Sequence, residues 1–334
     1  MADSFDIGID RLKAMAEPTR LRLLALLQGG DLSVKDLTTI LGQSQPRLSR
    51  HLKLLTDAGW ITRYPEGAWV YYRLSDATDI RDLWQATYAH LGKGSDVLAQ
   101  DQDRLVRLKE EQRQRAQSFF DDHAARWDAL RADLVPEADV EASILKVLGK
   151  ARVDSFLDIG TGTGRMLVLL ADLYRQATGI DPSPAMLKVA RSTLIEHGIN
   201  HAQVRQGDGH ALGIPAQSQD LVALHQVMHF FDDPRPMLAE VCRVLAPGGR
   251  LLIVDFAPHG VERLRSDHQH RRLGFDADEV SRWLSALGLS VEPVKTLGRD
   301  QSTHHQQLPV HIWVARDPRA LVDAPVLSNA SVLA

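Results

Sequence analysis

Phe156-Leu157-Asp158-Ile159-Gly160-Thr161-Gly162-Thr163-Gly164 is an apolar run that ends in an acid and passes into three alternating glycines. Consecutive apolar residues suit a strand buried on both faces. The glycines supply the backbone freedom of a tight turn and let a ligand approach the main chain. Helical periodicity begins directly afterwards. Strand, glycine turn and helix in that order read as the first unit of a doubly wound sheet that cradles a nucleotide-like group.

The alternation continues downstream. Candidate strands lie at 154–159, 177–181, 202–206, 219–225, 250–256, 290–296 and 309–315, with helical patterns in most of the gaps. That order predicts a mostly parallel sheet covered on both faces. Asp181 ends the second strand, about 20 residues past the glycines, where a carboxylate reaches ribose hydroxyls. Gly207-Asp208 ends the third strand and can meet an adenine amino group. A dinucleotide-binding turn would place its last glycine at position 165, which is Arg165.

At 334 residues the chain is long enough for two domains. Hydrophobic residues make up 44% and charged residues 25%, as in globular proteins. No apolar run nears the roughly 18 residues of a membrane span, and the acidic N-terminus lacks a signal layout. No membrane association and a cytoplasmic location are therefore expected. The single cysteine, Cys242, excludes an intrachain disulfide and any multi-thiolate metal site, and no metal is expected. A net charge of -4 gives no global pull toward nucleic acid, so any DNA affinity must come from a local basic face.

Such a face is present before the glycine turn. Pro18 opens one helix, Ser33-Val34-Lys35-Asp36 resembles a capping box for a second, and Ser44 is placed to cap a third that stops at Gly59. Ile61–Tyr64 and Trp69–Leu74 then form a strand-turn-strand pattern. On the third helix Leu48, Leu52 and Leu55 share one face, and Arg47, Arg50 and Lys53 share the other. A helix that buries one face and shows bases on the other fits a major groove. Ser44, Gln45 and Ser49 sit toward its N-terminal half, where base edges are read. Arg63 and the turn around Gly67 are placed for phosphate or the minor groove. Asp101 to Arg115 is dense in mixed charge and reads as a solvated linker helix.

Ala16-Glu17-Pro18-Thr19-Arg20-Leu21-Arg22-Leu23-Leu24, Leu32-Ser33-Val34-Lys35-Asp36-Leu37, Gln43 to Leu55 and Gly59-Trp60-Ile61 together resemble the winged helix-turn-helix of the ArsR family of regulators. The resemblance implies a homodimer on a palindromic double-stranded operator. Many members sense metal through cysteines on the helix before the recognition helix. The corresponding run, Leu32 to Leu37, has none, so soft-metal sensing there is unsupported. Asp79 and His90 are the only hint of a helix-borne zinc site, and a surface position explains both more simply.

The D-x-G-x-G-x-G pattern, Gly179-Ile180-Asp181-Pro182-Ser183-Pro184-Ala185-Met186-Leu187, Asp220-Leu221-Val222 and Arg243 to Leu251 resemble class I S-adenosylmethionine (SAM) methyltransferases from about 118 to 316. The resemblance implies SAM, or its demethylated product S-adenosylhomocysteine (SAH), as cofactor. It assigns binding to Asp158, Gly160, Gly162, Gly164, Asp181, Pro182, Met186, Gly207, Asp208 and His225. Met186 would pack on adenine, and it also fits a core position. Phe119 to Asp128 resembles the segment that lids the cofactor in such enzymes, and an amphipathic linker helix fits it equally well.

Methyl transfer needs chiefly in-line positioning, with a base where the acceptor must lose a proton. His225, His229 and Asp255 are the candidates for that base. His270-Arg271-Arg272 is a candidate to place a guanidinium near an anionic acceptor. Arsenite methylation generally implies several cysteines and is rejected. DNA methylation is weakened because His225-Gln226-Val227-Met228 stands where N/D-P-P-Y is common.

The expected chain is α/β: an N-terminal, mainly α winged helix-turn-helix over 1–95, a helical linker and cofactor lid over 96–135, a C-terminal doubly wound Rossmann-like methyltransferase domain over 136–316, and a loose tail over 317–334. The expected function is a DNA-binding regulator whose operator affinity follows SAM or SAH. The alternative is an active methyltransferase of a small-molecule acceptor with an auxiliary DNA-binding module.

Overall fold

The computed structural model describes residues 4–319 apart from 67–68, 76, 92–94, 133, 136, 210 and 299–306. The turn at Gly67 and the expected tail beyond residue 319 lie outside the described residues. The chain divides into two compact units. The first gathers Met1–His123, His229–Pro234 and Pro258–Gly274, and the second holds Ala124–Met228, Arg235–Ala257 and Phe275–Ala334.

The first unit opens with α1 (Ser4–Met15) and α2 (Pro18–Leu27). Pro18 sits in the first turn of α2, and Glu17 caps it by accepting the Arg20 N–H at 2.9 Å. A two-residue strand, β1 (Leu32–Ser33), leads into α3 (Val34–Leu41). The capping box is reciprocal: the Asp36 N–H donates to Ser33 Oγ at 3.1 Å, and the Ser33 N–H donates to Asp36 Oδ2 at 3.1 Å. Gly42 ends α3 in the left-handed region, at φ 63°. Next comes α4 (Gln45–Asp57). Ser44 stands at its N-cap, yet the side chain makes no capping hydrogen bond. The proline in the first turn supplies the preset φ and removes one N–H that a cap would have to satisfy.

Leu48, Leu52 and Leu55 are fully buried in a core with Leu23, Leu24, Leu37, Ile40 and Trp60. The strands β2 (Ile61–Glu66) and β3 (Trp69–Leu74) pair antiparallel, and β1 adds to β3. They are followed by α5 (Thr78–Leu91) and the 28-residue α6 (Asp96–His123).

The mixed-charge run in α6 is helical, but it is not uniformly solvated. Asp101 and Leu105 are each only 2% exposed. Arg22 on α2 donates to both oxygens of Asp101, at 2.6 and 2.7 Å. Leu105 and Leu108 pack on the core of the first unit. Surrounding charges conceal this short apolar stripe from a reading by composition.

In the second unit, α7 (Trp127–Ala132) and α8 (Glu137–Leu148) precede β4 (Val153–Ile159). Then follow α9 (Arg165–Leu169), β5 (Tyr174–Asp181), α10 (Pro184–Glu196), β6 (Ala202–Gln206), β7 (Gln219–His225), α11 (Arg235–Val244) and β8 (Leu245–Phe256). The short α12 (Arg263–Asp267) falls within the first unit, and α13 (Ala277–Ala286), β9 (Ser290–Val291), β10 (Lys295–Leu297) and β11 (Val310–Arg316) return to the second.

The sheet runs β10-β11-β8-β7-β4-β5-β6, with β9 paired to β11. The five strands from β4 to β8 are parallel to their neighbours, whereas β11 and β10 are antiparallel additions at one edge. Leu221 to Leu224 are each at most 1% exposed, so β7 is covered on both faces. The expected strand at 290–296 is split into β9 and β10 around Pro293, which has no N–H for a ladder. Among the described residues no helix is long and apolar enough to cross a membrane.

Candidate functional site

The glycine turn joins β4 to α9 in the second unit. Gly160, Gly162 and Gly164 have φ of 69°, 52° and 85°, a region that favours glycine. A Cβ on Gly160 would lie 2.4 Å from Val227 Cγ2, so a side chain there is excluded by contact as well as by φ. The turn is held from several sides. The Gly160 and Thr161 N–H groups donate to the Ile180 carbonyl at 2.8 and 3.0 Å. The Gly162 N–H donates to Asp181 Oδ2 at 2.9 Å, and the Ser183 N–H donates to Asp181 Oδ1 at 2.9 Å. Asp181 is therefore a buried acid at the end of β5 that fixes both the glycine turn and the start of α10.

Asp158, the last acid of β4, is 1% exposed. Its Oδ2 accepts the Thr161 hydroxyl at 2.7 Å, and its Oδ1 is buried with no hydrogen-bond partner. Burial pushes its pKa up to about 7; the Thr161 hydrogen bond opposes this, nearby Asp181 adds to it and Arg131 opposes it. An orphaned buried carboxylate oxygen beside a glycine turn suits a ligand with a cationic head, as in the amino-acid end of SAM or SAH.

The other sequence candidates spread around the C-terminal ends of the strands. Met186 is 2% exposed near the start of α10, so it serves the core at the least. Pro182 is exposed, and Asp208, Gly207 and His225 are half-buried. A Cβ on Gly207 would lie 2.8 Å from Ile180 Cγ2. Asp255 is fully buried, accepting the Met228 N–H on Oδ2 at 2.9 Å and the Phe256 N–H on Oδ1 at 2.8 Å. Those bonds make it a holder of the turn after β7.

Two residues of the Phe119 to Asp128 segment touch the turn, though neither was singled out as a site residue. Trp127 Nε1 lies 3.8 Å from the Cβ position of Gly162, and Asp128 accepts the Thr163 hydroxyl at 2.8 Å. The Phe119 to Asp128 motif was the available signal for both. Gln226 follows β7 with φ 55° and 7% exposure, a strained setting for a non-glycine residue.

His229 belongs to the first unit, 2% exposed and packed at a tilt against His270, 4.1 Å between ring centroids. Burial first, and then His229, His268, His259 and Arg265, hold His270 well below the ordinary histidine range. The guanidiniums of Arg271 and Arg272, expected near an acceptor, face acids within the first unit instead: Arg271 pairs with Asp232 at 2.6 Å, and Arg272 lies 3.6 Å from Asp31.

The basic face of α4 is open. Ser44, Gln45, Arg47, Ser49, Arg50, Lys53 and the wing residue Arg63 are all exposed. Lys53 pairs with Asp57 at 2.7 Å on the surface, a contact of little strength. Asp79 pairs with Arg11 at 2.5 Å, and among the described residues no group of three histidines, cysteines or acids is arranged for a metal ion.

Comparison with known proteins bears on each half. Residues 17–63 match the model for bacterial regulatory proteins of the arsR family, and residues 157–253 match a methyltransferase domain model. The arsenical resistance operon repressor of Escherichia coli (strain K12) is 48% identical over 73 residues, which is 22% of this chain and 62% of that protein. An uncharacterized methyltransferase, YcgJ, of Bacillus subtilis (strain 168) is 35% identical over 103 residues, 30% of this chain and 41% of that protein. The malonyl-[acyl-carrier protein] O-methyltransferase of Hahella chejuensis is 31% identical over 186 residues, 52% of this chain and 63% of its own length. The chain thus spans less than two thirds of each of these relatives. In fold, 60% of the chain matches 98% of a chain in a solved complex of a methyltransferase activator from Haloferax volcanii with a methyltransferase, with a TM-score of 0.50 at 20% identity. The methyltransferase domain supports SAM or SAH as the ligand of this half.

Proposed function

The chain joins a helix-turn-helix of the arsR regulatory family to a methyltransferase domain, and on that basis we propose a transcriptional regulator whose operator affinity follows SAM or SAH. The observation that carries the reading is the coexistence of both working surfaces. The base-rich face of α4 is exposed, while the glycine turn is fixed by Asp181 beside the orphaned Asp158 oxygen. The reading places a cytoplasmic homodimer on palindromic duplex DNA, with Arg47, Arg50, Lys53 and Arg63 toward the duplex. Asp158, Asp181 and Asp208 take the polar groups of the cofactor, and the glycines admit it to the backbone. Ligand control requires that the DNA-competent and incompetent forms bind the ligand differently. The test is fluorescence anisotropy on a duplex selected with the full chain, with and without saturating SAM or SAH. Equal affinity in all three conditions sinks the sensing reading.

A second reading is retained because His225 is half-buried at the end of β7. In it the chain methylates a small acceptor, SAM supplies the methyl group, and His225 takes the acceptor proton. A screen of acceptors for SAH formation decides it. No SAH above background, in protein that binds SAM, removes it.

A further inference from the structure

The β2–β3 wing has only the two-residue β1 beside it in its sheet, a small sheet needs packing behind it, and the wing is backed by residues far along the chain. Asp31, fully buried, accepts Arg73 at 2.8 and 2.7 Å and the Tyr64 hydroxyl at 2.5 Å, both from the wing. Arg272 approaches the same carboxylate at 3.6 Å. The wing rings form a stack, Tyr64 on Tyr71 at 5.8 Å and Trp69 on Tyr71 at 6.4 Å. Arg265 lies over Trp69 at 5.0 Å and over Tyr71 at 5.7 Å, and Arg272 lies 5.5 Å from the centre of Tyr64. Arg265 also donates to the Tyr71 hydroxyl at 3.0 Å, and that hydroxyl donates to the Arg271 carbonyl at 3.1 Å.

The same segment reaches α3. Arg271 donates to Gln112 at 2.9 Å, and Gln112 donates to Asp36 of the capping box at 3.2 Å. On the wing itself Arg63 remains exposed. Stacked guanidiniums fix ring orientation through the quadrupole as well as through charge, which an ammonium does less well.

We propose that Arg265 and Arg272 are positioning residues for DNA recognition: the 258–274 segment latches the wing from its rear, and operator affinity depends on that hold. The proposal rests on the DNA-binding reading above. The latch segment is continuous in sequence with the second unit, since Pro258 directly follows Ala257 and β8 ends at Phe256.

The test uses the full chain carrying Arg265→Lys and Arg272→Lys, which keeps net charge constant. The readouts are anisotropy on the selected duplex and hydrogen exchange over residues 61–74 without DNA. The latch predicts operator binding about fivefold weaker and wing exchange about fivefold faster, with α4 exchange and SAM affinity unchanged. The exposed Arg263→Lys is the control and leaves every readout alone. If the double variant folds poorly, Arg272→Lys alone is read in the same way. Affinity and wing exchange within twofold of wild type would overturn the latch alone, as would protection lost equally across α2 and α4. If the wild-type chain selects no duplex, the latch falls together with the DNA-binding reading.

Discussion

Asp181 accepts the Gly162 N–H at 2.9 Å, so the acid that ends β5 fixes the turn that leaves β4. Its other oxygen takes the Ser183 N–H. Asp181→Ala strands two amides that are buried or half-buried. The expected cost is about 1–3 kcal/mol of stability, together with at least about a tenfold loss of SAM affinity. Asp181→Asn keeps one carbonyl acceptor and falls between. Urea unfolding and titration calorimetry measure the two effects, and unchanged SAM affinity in Asp181→Ala removes this residue from the cofactor site.

Asp158 makes stability depend on pH in an unusual direction for an acid. Its folded pKa, raised to about 7 by burial, lies above the ordinary 3.8 of the unfolded chain. Between those values the folded state holds a proton that the unfolded state has released, so this group's contribution falls as pH rises through the window and levels off above it. Asp158→Asn lacks the decline. Unfolding curves across the window should show wild type losing stability relative to the variant by a few kcal/mol. Parallel curves would show that Asp158 is ionised throughout. A cationic ligand head favours the carboxylate, so SAM binding below pH about 7 should also expel a proton, seen as a dependence of binding heat on buffer.

On α4, Arg50 and Lys53 are both exposed but differ in chemistry. Arg50→Ala is expected to weaken operator binding by about 1–3 kcal/mol and to relax sequence preference, as loss of a base contact does. Lys53→Ala should weaken binding evenly across sequences and lower the salt slope by about 1, as loss of a phosphate contact does. Salt titrations on the selected and on scrambled duplexes separate the two. Equal losses on both duplexes for Arg50→Ala would move it to the phosphate class.

Arg22→Ala leaves Asp101 buried opposite a missing guanidinium, with Arg104 remaining at 3.6 Å. An uncompensated buried charge is costly, and about 3 kcal/mol of destabilisation is expected in the first unit. Replacing both partners, as Arg22→Met with Asp101→Leu, should recover most of that loss. Thermal melts of the three variants check the order, and equal melting of Arg22→Ala and wild type would make the pair ornamental.

The sheet was legible where its central strands are buried on both faces and written as apolar runs, as at Leu221 to Leu224 of β7 and Leu251 to Val254 of β8. The α4 face was equally open to reading, since Leu48, Leu52 and Leu55 recur at helical spacing. What escaped depends on partners distant in sequence. Nothing near Asp101 announces Arg22, and nothing near Asp255 announces the Met228 amide. His229 was read with His225 because both lie at the end of the fourth strand of the sheet, yet β7 ends at His225 and His229 falls in the first unit. The Asp31, Arg73 and Arg272 cluster is likewise invisible locally, because each charge reads alone as a solvated one.

The first unit is woven from three separate stretches of chain. A gene cut after His123 would remove Arg272 from Asp31 and Arg265 from the wing, even though every helix of the DNA-reading motif would survive. Moving this reader to another gene therefore means carrying the 258–274 stretch with it, and a gene shortened to residue 123 would encode a wing without the guanidiniums that lie over its rings.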